Sequence, residues 1–151
     1  MATFRETPYG VFNYLVDLSD GSETDVAGGF SEVSGLNAEV TVAEYRAGNQ
    51  KVNYVTKVPA IHKSGDITLK RGVIGAENLY SWLDQVRSGD VTAKRNVVIK
   101  LMSENQAESV VEWRLVNAMP IKWTGPTLTA KGGSDVAIEE LVLAGEHITQ
   151  E

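Results

Sequence analysis

The stretch Asn96-Val97-Val98-Ile99-Lys100-Leu101-Met102, the turn Ser103-Glu104-Asn105-Gln106, and the run from Glu108 through Val110, Trp113 and Leu115 to Ala118 decide the fold. Two apolar-rich runs joined by a short polar turn read as an antiparallel hairpin. Upstream, residues 66–71 alternate, with Ile67 and Leu69 opposed to Asp66, Thr68 and Lys70. Between these strands stands the one convincing helix, residues 76–88. There Leu79, Trp82, Leu83 and Val86 recur at the spacing of a single apolar stripe, and Gly89 follows where a left-handed cap is common. A Trp inside such a stripe is expected to pack.

Further out, residues 12–18 place Phe12, Tyr14, Val16 and Leu18 on one strand face, before a turn at Asp20-Gly21-Ser22. In residues 38–45, Ala38, Val40 and Val42 alternate with Glu39, Thr41 and Ala43, the pattern of a half-buried strand. Pro120, Gly125 and Pro126 interrupt the stretch after Ala118, and Lys131-Gly132-Gly133-Ser134 is a turn before a last strand at 136–143. Strands, one helix, then strands predict a mainly β fold in one domain over 1–151. The expected architecture is two packed antiparallel sheets, a sandwich or barrel, with one flanking helix.

Residues 47–63 differ in character. Gly48, Asn49, Gln50, Lys51, Asn53, Lys57, His62 and Lys63 are interleaved with Val52, Tyr54, Val55, Val58 and Ile61. Either this is an extended hairpin whose apolar side chains meet another molecule, or an ordinary hairpin folded over its own core.

Composition narrows the functional classes. With 42% hydrophobic and 23% charged residues the chain is neither disordered nor membrane-spanning. No apolar run approaches the roughly 20 residues that cross a bilayer. The amino end lacks the apolar core of a secretory signal, so synthesis in the cytoplasm is expected. A net charge of −6 argues against nucleic-acid binding through a basic surface. The absence of cysteine removes disulfides and thiolate chemistry.

Catalytic patterns are missing too. His62 and His147 stand apart in expected loop or tail positions, without the convergent ligands a metal needs. Residues 131–134 lack the spacing and the following helix of a phosphate loop. Glu139 and Glu140 alternate across a strand and cannot serve one substrate together, so both are expected at the solvated surface. The chain reads as a non-enzyme without cofactor.

Four blocks carry a resemblance. Phe30-Ser31-Glu32-Val33-Ser34-Gly35-Leu36, followed by Val40, Val42 and Glu44-Tyr45-Arg46-Ala47-Gly48-Asn49, forms the first. Ile67-Thr68-Leu69-Lys70-Arg71-Gly72 is the second. Trp113, Asn117-Ala118, Pro120, Lys122-Trp123 and Gly125-Pro126 make the third, and Ala130-Lys131-Gly132 with Val136-Ala137-Ile138-Glu139 the fourth. In this order, across about residues 8 to 146, the chain resembles the tube proteins of contractile phage tails and related injection particles. Met119, where an aromatic residue is expected, and the loosely matched tract 21–28 depart from the pattern.

The resemblance implies hexameric rings stacked into a hollow inner tube that is driven through a target envelope. It implies a contractile sheath, baseplate or hub proteins and a tape-measure protein or cargo as partners. It implies no specific nucleic-acid binding, no membrane insertion of the subunit, and a place in a phage tail or an injection particle assembled by a bacterium. Gly48, Asn49, Lys51, Val52, Tyr54, Val55 and Lys57 are the expected contact between rings. The polar strand faces with Glu39, Thr41, Thr68, Lys70, Lys100, Glu112 and Arg114 are expected to line the lumen. A minor tube-initiating paralogue and a monomeric small-ligand β-barrel are the alternatives.

Overall fold

A computed structural model describes residues 4–19 and 29–151. Nine strands and one α-helix lie among them: β1 (Tyr14–Asp17), β2 (Glu32–Ser34), β3 (Ala38–Tyr45), β4 (Thr56–Ser64), β5 (Ile67–Gly72), α1 (Asn78–Arg87), β6 (Arg95–Met102), β7 (Ser109–Thr124), β8 (Ile138–Ala144) and β9 (His147–Gln150). Seven strands form one antiparallel sheet in the order β1-β6-β7-β8-β5-β2, with β9 also on β7; β3 and β4 form a separate two-stranded ribbon. The turn expected at Asp20-Gly21-Ser22 lies outside the described residues.

The large sheet is organised by β7. Its first half pairs β6 on one side and β9 on the other, and its second half pairs β8. Pro120, expected to interrupt the chain, sits inside this 16-residue strand. Two irregularities make that possible. Pairing with β6 has ended at Arg95–Ala118, and the β8 register slips by one residue at Ile121, so the missing N–H falls beside a bulge. Just before it, Asn117 adopts φ 51°, a conformation Asn tolerates better than most residues. Its N–H donates to Asn96 Oδ1 at 3.1 Å and its side-chain amide to Glu146 Oε2 at 2.9 Å. Glu146 also accepts from Lys94 at 3.0 Å, and these two donors, Asn117 first, hold its carboxyl below the usual range.

One strand therefore serves both halves of the sheet. Val16, Leu18, Val97, Ile99 and Leu115 from one half meet Ile67, Leu69, Leu141 and Leu143 from the other. Leu79 and Trp82 of α1 complete the core, and Trp82 Nε1 donates to Ala93 O at 2.7 Å. Val86 packs against the same cluster, whereas Leu83 is half-buried. The helix is shorter than the expected 76–88, and Gly89 beyond it takes φ 87°.

Two burial expectations change. Phe12 precedes β1 and is 71% exposed, so the apolar alternation enters the core only from Tyr14 onward. Glu139, expected at the surface, is buried: Arg71 donates to its Oε1 from Nε at 2.9 Å and from Nη2 at 2.6 Å, and Trp123 Nε1 donates to Oε2 at 3.2 Å. Arg71 also reaches Asn78 Oδ1 at 2.8 Å, tying the sheet to the start of α1. Strand parity explains it, since Arg71 follows Ile67 and Leu69 on the inward face. Glu140, one residue on, points outward.

The ribbon is not an independent hairpin. β2–β5 pairs through Glu32–Lys70 and Ser34–Thr68, and β3–β4 pairs through Ala38–Ser64 and Val40–His62. As far as Val40–His62 both sets have the same register, so β2–β3 and β4–β5 are one long ladder interrupted at 35–37 and 65–66. At the interruption Asn37 Oδ1 accepts from Gly65 N–H at 2.6 Å. Gly35 takes φ +92°, and a Cβ there would lie 2.2 Å from Asp66 O. Only glycine fits both the turn and the approach.

Two outcomes follow for stability. Gly35→Ala should destabilise the fold by more than about 1 kcal/mol, read as a lower denaturant midpoint, because conformational strain and backbone overlap add. Arg71→Ala should cost about 3–5 kcal/mol by leaving a buried carboxylate uncompensated, while Arg71→Met with Glu139→Leu should recover most of it. A double variant as unstable as the single one would show that the loss comes from packing and not from the stranded charge.

Candidate assembly interface

The ribbon dominates the surface. No residue from Ala38 to Ser64 is buried, and Thr41, Ala47, Gln50 and Ser64 are its half-buried members. The half-buried strand expected at 38–45 is thus exposed on both faces of this chain, with Val42 55% exposed. The hairpin does not fold over its own core. Val52, Tyr54, Val58 and Ile61 stay in solvent, Ile61 at 68% exposure. A two-stranded ribbon with no apolar face covered is marginal by itself, so its order must come from its base or from a partner.

Local chemistry keeps it straight. Between Val40–His62 and Val42–Pro59 the register slips, leaving an extra residue on β4 opposite Thr41. The Thr41 hydroxyl accepts from Ile61 N–H at 2.9 Å and donates to Ile61 O at 3.0 Å, replacing the ladder bonds lost there. Glu39 stands directly opposite Lys63, and Glu44 opposite Lys57; opposite charges at such positions favour the register.

Of the residues expected between rings, Lys57 lies on β4, and Gly48, Asn49, Lys51, Val52, Tyr54 and Val55 lie in the loop at the ribbon tip. All seven are exposed. The structure brings them together.

The seven residues expected on one lumen surface are not brought together. Thr68 and Lys70 lie on the outward face of β5, where Lys70 Nζ is 3.4 Å from Glu32 and 3.5 Å from Glu140. Glu32 first, then Glu140, hold its ammonium above the ordinary value. Lys100, Glu112 and Arg114 lie on the outward face of the other half, with Lys100 opposite Glu112. Because the two halves enclose the core, these outward faces point away from each other. Glu39 and Thr41 lie on the ribbon, with the ladder parity of Val33 and Leu69. The folding of one sheet back on itself, invisible to alternation alone, separates the three groups.

Two features differ from or go beyond the sequence reading. His62 and His147, expected apart in loop or tail positions, lie in β4 and at the start of β9, and both line one crevice at the ribbon base with Glu39, Lys63 and Glu146. Among the described residues no group of three or more His, Cys, Asp or Glu is placed to hold a metal. The second feature is an open cleft of 530 Å³ lined by residues that include Glu32, Lys70, Thr124, Pro126, Asp135 and Glu140. Its single signal in the sequence was the outward parity of Glu140.

A family model described as T4-like virus tail tube protein gp19 matches residues 10–149. No curated protein matches the chain. Among solved structures, the chain is 28% identical to one in a sheath-tube complex of an extracellular contractile injection system (PVC) in the extended state, at TM-score 0.82, covering 97% of this chain and 93% of that one. It is 28% identical to a chain of the sheath/tube terminator of the same system, at TM-score 0.83, with 97% and 98% covered. It is 26% identical to a chain of the anti-feeding prophage cap, the tube-terminating cap, at TM-score 0.82, with 100% and 95% covered.

Proposed function

Because the chain belongs to the T4-like virus tail tube protein family, we propose that it is the major inner-tube subunit of a contractile injection particle or phage tail. In this reading it forms hexameric rings that stack head to tail. The observation that carries it is the ribbon, an ordered two-stranded projection with both faces in solvent and Val, Tyr and Ile side chains along them. Exposed apolar area of this kind belongs to a surface that a partner covers. A subunit that reaches from one end into the next copy makes a heterologous contact, which repeats without closing and so builds a filament. The family is one of structural tube proteins, and the role proposed here is structural.

The lumen is assigned to the outward face of the four-strand half β2-β5-β8-β7. It carries Glu32, Ser34, Thr68, Lys70, Lys122, Thr124 and Glu140 in paired rows. Among the described residues two edges of this half have no strand partner: β2, and the second half of β7 beyond its last β6 pair. Neighbours in a ring would satisfy both, since an unpaired strand edge is a template for pairing. Lys70 and Lys122 interspersed with Glu32 and Glu140 give a wall of mixed sign, over which protein cargo or a polyanion passes without a uniform attraction. Sheath protein on the outside and a baseplate at the tip are the partners this reading implies, and a tape-measure protein or cargo would occupy the channel. It places the subunit in a particle assembled in the bacterial cytoplasm.

Deleting residues 50–56 should leave folded rings that no longer form long tubes, seen by negative-stain microscopy and size-exclusion chromatography; full-length tubes from the deletion would refute the ribbon's role. For the lumen, a single thiol placed by Lys122→Cys should react with a bulky maleimide far more slowly in intact tubes than one placed by Arg114→Cys. Equal rates would remove this face from the channel.

A further inference from the structure

Charge is segregated along this chain in a way that points to where the ribbon docks. Residues 46–64 contain Arg46, Lys51, Lys57 and Lys63 and no Asp or Glu; Glu44 and Glu39 of β3 stand opposite Lys57 and Lys63, so the excess positive charge sits at Arg46 and Lys51 near the tip. The basic tract and the exposed Val52, Tyr54 and Val55 belong to the same projection. A surface that is both cationic and apolar fits a groove with an apolar floor and an acidic rim.

Such a groove lies at the opposite end of the same ladder. Glu32, Lys70, Glu140 and Thr124 form one row across β2, β5, β8 and β7. The ribbon leaves β2 and β5 at their other ends, beyond the Ser34–Thr68 pair. Over the row hangs the loop between β7 and β8, and together they bound the 530 Å³ cleft. Its acids are Glu32 and Glu140, which pair Lys70 at 3.4 and 3.5 Å, and Asp135 of the loop; Pro126, Val136 and Ile138 supply apolar lining, Val136 being 74% exposed.

We propose that the loop side of this cleft is the socket for the ribbon tip of a second copy in the adjacent ring, with Lys51 meeting Asp135 and Tyr54 covering Val136, while Lys70 keeps Glu32 and Glu140 paired on the lumen face. The inference rests on the tube reading above and adds the acceptor. Projection and socket at opposite ends of one strand pair give a polar repeat, in which the tip of each ring enters the cleft of the next. The contact combines burial of apolar area with charges at its rim, so it weakens at high salt, where the screening length falls to about 3 Å at 1 M.

Charge exchange and cross-linking test it. Asp135→Lys, and separately Lys51→Glu, should still give hexamers but raise the protein concentration needed for tubes roughly tenfold or more, as expected for close charge pairs at an interface. Combining the two should restore tubes; wild-type tube length in the single variants, or no recovery in the combination, would overturn the socket. The cysteine-free background allows a second test that does not depend on tuning charge. Tyr54→Cys with Val136→Cys should, on oxidation of assembled tubes, give a covalent ladder running past six copies. A ladder that stops at six places the contact within one ring and overturns the proposal. So does a Val136→Cys thiol that stays freely labelled in intact tubes, since the cleft would then be open to another basic partner. Tubes lost on deletion of 50–56 together with charge variants of normal length would sink the socket alone. Absence of tubes from the unaltered protein would sink the reading beneath it.

Discussion

Everything distinctive in this subunit depends on one backbone constraint: a pair of strands that starts inside a seven-stranded sheet, leaves it in the same register and stays paired beyond a single bulge at Thr41. Inside the sheet the pair is fixed by Leu69, Leu141 and Leu143 in the core, and by the Lys70 ion pairs outside. Beyond Gly35 and Asn37 it touches the body only at its base, where Ser64 Oγ donates to Gly145 O at 3.3 Å and His62 lines a crevice with His147. Further out the strands have their own ladder, and Val42, Val58 and Ile61 remain exposed. Such a ribbon holds its direction because its base is rigid. The contribution of its apolar side chains, worth roughly 25 cal/mol for each Å² covered, becomes available only on assembly.

Much of the fold was legible in the sequence because alternation and helical spacing report burial, and burial is what the body of the sheet achieves. Ile67 with Leu69, and Leu79 with Trp82, were read from spacing and lie in the core. The reading failed where tertiary context changed the local rule. Phe12 fits the strand pattern yet lies before the strand begins. Pro120 looked like a breaker, and a strand absorbs it because pairing on one side has ended and a bulge relieves the other. Val40 and Val42 alternate correctly, but the pattern cannot say whether the apolar side is covered by this chain or by another.

The surface assignments show the same limit from another direction. The exposure of the ribbon tip was legible because Val and Tyr among Lys and Asn contradict an ordinary loop. The polar strand faces were not, because parity distinguishes inside from outside and is silent on which outside. Thr68 and Arg114 share an outward sense and point away from each other once the sheet closes around its core. Glu139 was misread for a related reason, since a carboxylate on the inward face is stable there only when a partner such as Arg71 arrives from another strand.

The register shared by β2–β3 and β4–β5 also bears on mechanics. Interstrand hydrogen bonds run perpendicular to their strands, so a pull on the tip, which draws both ribbon strands the same way, loads the β5–β8 bonds side by side in shear, and they do not open one after another like a zipper. A tip gripped by its neighbour would pass tension straight down both strands into the sheet, where β5 is flanked by β2 and β8. The weakest point on that line is the break at Gly35 and Gly65, bridged by the Asn37 side chain. A column built from such units would stiffen along its length while keeping one compliant joint per subunit at which to bend.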